Sequence, residues 1–537
     1  MGTLLSLQNV SFGYYPTDER TGEPTGEICQ VLSDISMDIR EGGYHVLCGA
    51  TGCGKSTLLR LCKKELVPVG KLDGTIRWNG AEDPGEIGFV MQNPGDQAVT
   101  DKVWHELAFG AENVGMEPGE IRRRVAEVSS YFGIGDWYDR RITELSGGQL
   151  QIVNLAAAVV MNPRLLILDE PTSQLDPIAA IDFLRILEKL NREMGITILI
   201  VEHRLEEVLP TADRVFYLEN KTIAFSGTPD ELMRRIPADS VIYKALPLAG
   251  RVACRLERDP EGSIPLTIRA GRSFLEAECR LQRQALSRIR KDMPDGEGET
   301  APVLTCRGLW FRYGRMEPDV VRGAEVNLYP GECVCLLGGN GSGKTTFLKL
   351  LAGILTPQEG TCRLLGEKIK GSRPQIGYLP QDVETMFVTD SVHREMKLVG
   401  IPDDRLTHPY DLSGGEKQQL ALRKLLAAER RVLLLDEPGK GLDASAKEQL
   451  GELLNREKEK GTAILLVTHD CEFAAAYADR CGLFFHGAVV SLEEKRTFFG
   501  RNRFYTTAAA RLAYGLYEGV LTEEDLYREL GVSEEEP

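Results

Sequence analysis

The chain has 537 residues, 42% of them apolar and 27% charged, with a net charge of −16. This is an ordinary globular composition of roughly two to four domains, each long enough to bury a core. An acidic total with no long basic tract argues against a nucleic-acid surface, and no run approaches the ~18 apolar residues of a membrane span. The 12 cysteines are scattered and form no C-x-x-C pair. They read as reduced, mostly buried thiols of a cytosolic protein rather than a disulfide framework or a zinc site.

Polar Gln8 and Asn9 interrupt the N-terminus too early for a secretory signal. The stretch Met1–Ser6 fits the myristoylation pattern, which is short enough to arise by accident. Residues 4–12 alternate in polarity and pair with 31–39 as antiparallel edge strands. Residues 16–27, rich in Pro, Thr, Gly and Glu, read as a loop. Tyr44–Cys48 is a short buried strand, followed by a glycine-rich turn and a helix over Thr57–Lys64. Residues 117–160 are helix-rich, with Arg123 and Arg124 on a solvated face. Leu165–Leu168 is a continuous apolar run ending at Asp169, as expected of a central parallel strand buried on both faces. Ile178–Arg192 reads as a helix and Thr197–Val201 as the next buried strand. Residues 303 to about 490 repeat this order. Pro294–Glu299 reads as a flexible acidic linker. Beyond residue 497 come an aromatic-basic segment, Phe498–Tyr505, and an acidic helix near Glu523–Leu530. The expected organisation is a first domain at 1–245, a linker at 246–302, a second domain at 303–496 and an extension at 497–537.

The repeat is explicit in the spacing of landmarks. Lys344 follows Lys55 by 289 positions, as Gln381 follows Gln92. Ser413 follows Ser146 by 267, as Asp436 follows Asp169, and His469 follows His203 by 266. The second copy therefore lacks 22 residues between its Gln and its Ser, which marks that segment as a peripheral subdomain tolerant of length change.

Residues 49–56 (Gly49, Gly52, Gly54, Lys55 and Ser56 at the fixed positions) and 338–345 (Gly338, Gly341, Gly343, Lys344 and Thr345) both fit G-x-x-x-x-G-K-[ST]. The backbone amides of such a loop wrap a polyphosphate, its lysine reaches the β- and γ-phosphates, and its hydroxyl is placed on Mg²⁺. Thr57 and Thr346 extend the loop into the helix, whose N-terminus adds positive partial charge. Cys53 fills an x position of the first loop as a small side chain. Asp169 and Asp436 end apolar strands and suit a hold on Mg²⁺, while Glu170 and Glu437, one residue on, suit the base that activates water. Ser146, Gly147 and Gly148, and again Ser413, Gly414 and Gly415, begin helices with a capping hydroxyl and bare amides, a second anion site. His203 and His469 follow strands at the same place in both copies and suit a γ-phosphate contact, since a histidine donates in either protonation state.

Together these motifs resemble the ATP-binding cassette ATPases. The resemblance implies an α/β fold: two tandem P-loop cassettes, each a mixed-sheet core with an antiparallel β edge and a helical signature subdomain. It further implies head-to-tail packing into an intramolecular pseudo-dimer that binds two ATP, each between one copy's phosphate loop and the other's Ser-Gly-Gly turn. Gln92 and Gln381 would then contact Mg²⁺ and the attacking water, Tyr14 and Tyr313 would stack on adenine, and Asp176 and Asp443 would communicate across the dimer. Two departures in the second copy, Glu416 for the usual Gln and Gly439-Lys440 for Thr172-Ser173, put equal turnover of the two sites in doubt.

A finer likeness covers nearly the whole chain. Gly88–Gln97, Glu106–Gly110 and Val201–Glu207 look like energy-coupling-factor transporter ATPases, which power bacterial uptake of vitamins and transition-metal ions. The segments Ile264–Leu275 and that near Arg503 look like the fused, two-cassette members. This implies a peripheral protein on the cytoplasmic face of a bacterial membrane, partnered by a membrane-embedded coupling subunit and a substrate-binding membrane subunit. The coupling helices would dock near Gln92 and Gln381. The alternative is a soluble tandem-cassette ATPase acting on the ribosome, which usually carries a longer, Lys- and Arg-rich linker than the mixed one here. A DNA-repair cassette protein would want zinc-ligand cysteine pairs.

Overall fold

The computed structural model describes residues 2–15, 28–80, 84–256, 263–282 and 301–532. The loop expected over 16–27 and the acidic stretch at 294–299 lie outside them. The chain divides into two compact units, Met1–Thr267 and Ile268–Pro537. The segment read as a linker is thereby shared. Leu246 and Ile264 lie in the core of unit 1, and the helix Ile268–Gln282 packs on Ala508–Ala513 in unit 2.

Each unit is built on a six-stranded sheet. In unit 1 its spatial order is Ile87–Val90, Leu165–Asp169, Thr197–Val201, Tyr44–Cys48, Arg214–Glu219 and Thr222–Gly227. The first five are parallel neighbours and the last pairs antiparallel. Unit 2 repeats the order with Ile376–Leu379, Val432–Asp436, Ala463–Val467, Cys333–Leu337, Arg480–Phe485 and Ala488–Glu494. A separate antiparallel sheet flanks each: Thr3–Tyr14 between Cys29–Arg40 and Gly70–Trp78 in unit 1, and Leu304–Phe311 between Val321–Leu328 and Glu359–Leu364 in unit 2. The strands expected at 4–12 and 31–39 are thus present and paired.

Side chains alternate across a strand, and this alone sorts the core. Leu166 and Leu168 pack with Phe183, Leu187 and Leu190 on one face. Leu165 and Ile167 pack with Leu58 and Leu59 of the helix that follows the phosphate loop. Each such residue, fully buried, contributes ~1.5–3 kcal/mol. The same alternation carries Asp169 onto the face of the phosphate-loop helix. In unit 2, Val432 and Leu434 share a cluster with Phe347 and Leu348, so Asp436 emerges on the equivalent face.

The length difference between the copies has a structural counterpart. Unit 1 carries the helices Val103–Asn113 and Pro118–Tyr131 ahead of its signature helix Gly147–Val160. Unit 2 has only the shorter helix Val392–Leu398 before Gly414–Leu426. Among the described residues, no helix is long and apolar enough to cross a membrane.

Candidate functional site

In each unit the buried strand Tyr44–Cys48 or Cys333–Leu337 runs directly into the phosphate loop and its helix. Two glycines are demanded by geometry. A Cβ on Gly49 would lie 2.4 Å from the Leu218 carbonyl oxygen, and one on Gly338 would lie 2.2 Å from that of Phe484. Gly54 and Gly343 cap the helices at φ 107° and 104°, a conformation other residues adopt only under strain. The loop lysines are buried and fold back into their own loops. Lys55 Nζ donates to the Gly49 and Ala50 carbonyls at 2.9 and 2.8 Å. Lys344 Nζ donates to Gly338 and Gly339 at 2.7 and 2.9 Å. The charge thus sits within the ring of loop amides.

The carboxylates arrive from the neighbouring strand. Ser56 Oγ donates to Asp169 Oδ1 at 3.0 Å, and Thr345 hydrogen-bonds Asp436 likewise. Burial pushes both aspartates up to about 6, with the Ser56 and Thr345 hydroxyls opposing the shift and the adjacent Glu170 or Glu437 adding to it. Asp436 Oδ2 is buried and has no hydrogen-bond partner. A hard oxygen donor set with an unsatisfied carboxylate oxygen fits Mg²⁺. Because these acids must lose their protons to hold the ion, Mg²⁺-dependent ATP binding is expected to strengthen as pH rises through about 6. The sign for folding is the reverse. A raised carboxyl pKa favours the native state at low pH, and that contribution is lost as pH rises through about 6. Titration calorimetry at pH 5 and pH 7 checks the first, and thermal melts without nucleotide check the second.

Glu170 and Glu437 follow their strands with φ of 45° and 52°, rare for a non-glycine residue and costing about 1–3 kcal/mol unless the surroundings hold it. The surroundings do so in both units. The amides of Glu170 and Glu437 donate to the Val201 and Val467 carbonyls. His203 Nε2 lies 2.8 Å from Glu170 Oε1, and His469 Nε2 lies 3.0 Å from Glu437 Oε1. Burial raises the Glu170 carboxyl, but the His203 hydrogen bond and charge, with Lys55, outweigh it and leave the acid below its ordinary value. Gln92 Nε2 donates to Glu170 Oε2 at 2.9 Å. In unit 2 the hydrogen bond of His469 Nε2 goes to Asn340 Oδ1 at 2.8 Å, and Glu437 Oε1 is buried without a hydrogen-bond partner.

Tyr14 and Tyr313 are tethered alike. Their hydroxyls lie 3.0 and 3.1 Å from Thr57 Oγ1 and Thr346 Oγ1, and their rings stand edge-on to Phe12 and Phe311. Each aromatic is therefore fixed to the first turn of the phosphate-loop helix. Ser146 and Ser413 cap their helices in complete capping boxes, so Glu416 does in unit 2 what Gln149 does in unit 1. A Cβ on Gly147 or Gly414 would meet nothing within 4 Å, which leaves these turns open to an approaching anion. Asp176 and Asp443 each cap the following helix, accepting from Ala179 and Ala446 at 2.9 Å.

One feature was not singled out from the sequence, and the departure noted at Lys440 gains a physical setting. Buried Glu202 accepts from the Thr172 amide at 3.0 Å and holds the turn after Glu170. Unit 2 has Thr468 at the matching position, and Lys440 is set against Glu437 and Asp436. Burial lowers the Lys440 pKa, and those two carboxylates oppose the shift. The Glu202 bond spans 30 positions of the chain and has no local signal in the sequence.

Phosphate loop, strand-end Asp-Glu, His and Ser-Gly-Gly turn, present once in each unit, define a P-loop ATPase of two cassettes. The family model described as ABC transporter matches residues 32–173 and 321–440. A protein of Bacillus thuringiensis subsp. konkukian, provisionally named an ABC transporter ATP-binding protein, is 39% identical over 555 aligned residues, covering 97% of each chain. A Bacillus subtilis protein, provisionally named an HMP/thiamine import ATP-binding protein, is 32% identical over 92% of this chain and 93% of its own. Among solved structures, the archaeal ribosome recycling factor aABCE1 matches 88% of this chain and 89% of its own at 24% identity with a TM-score of 0.54, a likeness of fold alone. The chain belongs to the ABC transporter family, as a tandem-cassette subunit that hydrolyses ATP.

Proposed function

We propose that this chain is the ATP-hydrolysing subunit of an importer of the energy-coupling-factor type, driving uptake of a vitamin or metal ion through membrane partners. The observation that carries the reading is the duplication of a complete hydrolytic set: lysine, hydroxyl, aspartate, glutamate and histidine recur in both units. The stretches Gly88–Gln97, Glu106–Gly110 and Val201–Glu207 support the importer type, and so does a relative named for HMP/thiamine import.

In this reading the loop amides and Lys55 or Lys344 hold the β- and γ-phosphates. Tyr14 and Tyr313 stack on adenine, and Ser56 with Asp169, or Thr345 with Asp436, hold Mg²⁺. The ion, when bound, neutralises phosphate charge. Glu170 and Glu437 take a proton from the attacking water. His203 and His469 orient the glutamate and donate to the γ-phosphate, and Gln92 and Gln381 sense that the site is filled. The open turns Ser146–Gly148 and Ser413–Gly415 each take the γ-phosphate of an ATP bound by the other unit. ATP then favours a joined state and its hydrolysis a parted one, since a ligand shifts an equilibrium by its differential affinity. A membrane-embedded coupling subunit converts this into movement, and a second membrane subunit selects the cargo. The chain would sit on the cytoplasmic face of the membrane.

Affinity purification from native cells followed by mass spectrometry is expected to recover two integral membrane proteins with this chain. Recovery with ribosomes and no membrane protein would overturn the reading.

A further inference from the structure

The two units hold their glutamine loops by different chemistry. In unit 1 four amide side chains do so through five hydrogen bonds. Gln92 reaches Glu170. Gln97 accepts from the Met91 amide at 2.8 Å and donates to the Phe89 carbonyl at 3.1 Å. From the signature helix, Gln151 Nε2 donates to the Met91 carbonyl at 3.3 Å and Asn154 Nδ2 to the Pro94 carbonyl at 3.0 Å. The offsets of the repeat place Met386 at the position of Gln97, and Ala421 at that of Asn154. Gln418 matches Gln151, but its Nε2 is buried without a partner. Among the described residues no hydrogen bond joins Gln381 to Glu437, whose Oε2 instead accepts from the His469 amide at 3.3 Å.

Unit 2 has two lysines in place of these amides. Lys417 Nζ meets Glu384 Oε1 at 2.7 Å, and Lys424 Nζ meets the Met386 carbonyl at 2.6 Å and Glu395 Oε2 at 2.5 Å. Unit 1 has Leu150, Gly95 and Ala157 at the positions of Lys417, Glu384 and Lys424, so neither ion pair exists there. Glu395 is otherwise the equal of Glu106. Each is buried and accepts two successive loop amides, Val388 and Thr389 or Val99 and Thr100. The lysines are therefore additions to a shared frame.

We propose that Lys417 and Lys424 are positioning residues that latch the unit 2 glutamine loop in a state with Gln381 withdrawn from Glu437. The unpartnered Gln418 amide marks the other state, in which it reaches the Pro380 carbonyl as Gln151 reaches Met91. The latch opposes filling of the unit 2 site, because nucleotide must draw Gln381 inward against it. The Lys417–Glu384 pair is partly exposed, with Glu384 at 44%, so salt weakens it. The inference rests on the nucleotide-site assignment above.

The test uses the full-length chain carrying Lys55→Ala, which leaves unit 2 as the binding site, titrated with Mg²⁺ and a non-hydrolysable ATP analogue. Lys417→Met and Glu384→Gln remove the same pair from opposite sides. Each is expected to tighten binding by about 3–5-fold, the worth of a partly exposed pair, with an unchanged melting temperature. The double variant should gain no more than either single one. Raising salt should narrow the gap between the parent and the variants. Unchanged or weaker binding, or additive gains, would overturn the latch. Adding Lys344→Ala separates the two ideas. If it leaves binding intact the site assignment fails, whereas if it abolishes binding and the pair variants do nothing, only the latch fails.

Discussion

Replacing Glu170 and Glu437 together by glutamine is expected to slow ATP hydrolysis by about 10²–10⁴-fold, the usual worth of a positioned base, while MgATP still binds. The expectation follows from where these carboxylates sit. Both occupy a left-handed backbone conformation at a strand end, both face a histidine within 3.0 Å, and neither is required to hold the phosphate loop. Glutamine keeps the size and the hydrogen-bond acceptor but cannot take a proton. The single variants should differ. Glu170 is held by Gln92 at one carboxylate oxygen and faces His203 at the other, whereas Glu437 lacks the Gln381 contact and has Lys440 beside it. Glu170→Gln should therefore cost more of the total rate than Glu437→Gln. Steady-state phosphate release, with nucleotide binding measured in parallel, checks both statements. Full-rate turnover by the double variant would remove the glutamates from the base role.

Lys55→Ala and Lys344→Ala should abolish most nucleotide binding at their own sites. Each lysine is buried and bonded to two loop carbonyls, so it is held ready inside the amide ring. Charge-assisted hydrogen bonds contribute roughly 1.5–3 kcal/mol each. Losing two to the phosphates would weaken binding by about 10²–10³-fold or more. The truncation also strands two loop carbonyls, so a modest fall in melting temperature is expected alongside. Equilibrium titration of each single variant should leave one tight site, and that of the double variant none. Two tight sites in either single variant would contradict the assignment.

Most of the residues that the fold gathers at the candidate site were legible in the chain itself. A glycine-rich loop after a buried apolar strand has few other uses, and the left-handed backbone at Gly54 and Gly343 calls for that residue type locally. The run Leu165–Leu168 forecast a strand buried on both faces, and the period of two then carried Asp169 toward Ser56. Ser146 and Ser413 were legible as helix caps because a hydroxyl followed by small residues satisfies free amides locally. The missing 22 residues pointed to a peripheral segment, and the helix Pro118–Tyr131 has no equal in unit 2.

Other features had no local signal. The Glu202 bond to the Thr172 amide, the Gln151 and Asn154 bonds to the glutamine loop, and the Lys424–Glu395 pair each join residues at least 29 positions apart in the chain. The sharing of residues 246–282 between the units follows from which apolar faces found a partner, which composition does not encode. By itself, the chain determined its chemistry: backbone amides, glycines and strand-end acids act through short-range geometry that spacing reports. Only the tertiary structure decided how firmly each glutamine loop is held and by what kind of bond, because those contacts depend on side chains brought together by packing.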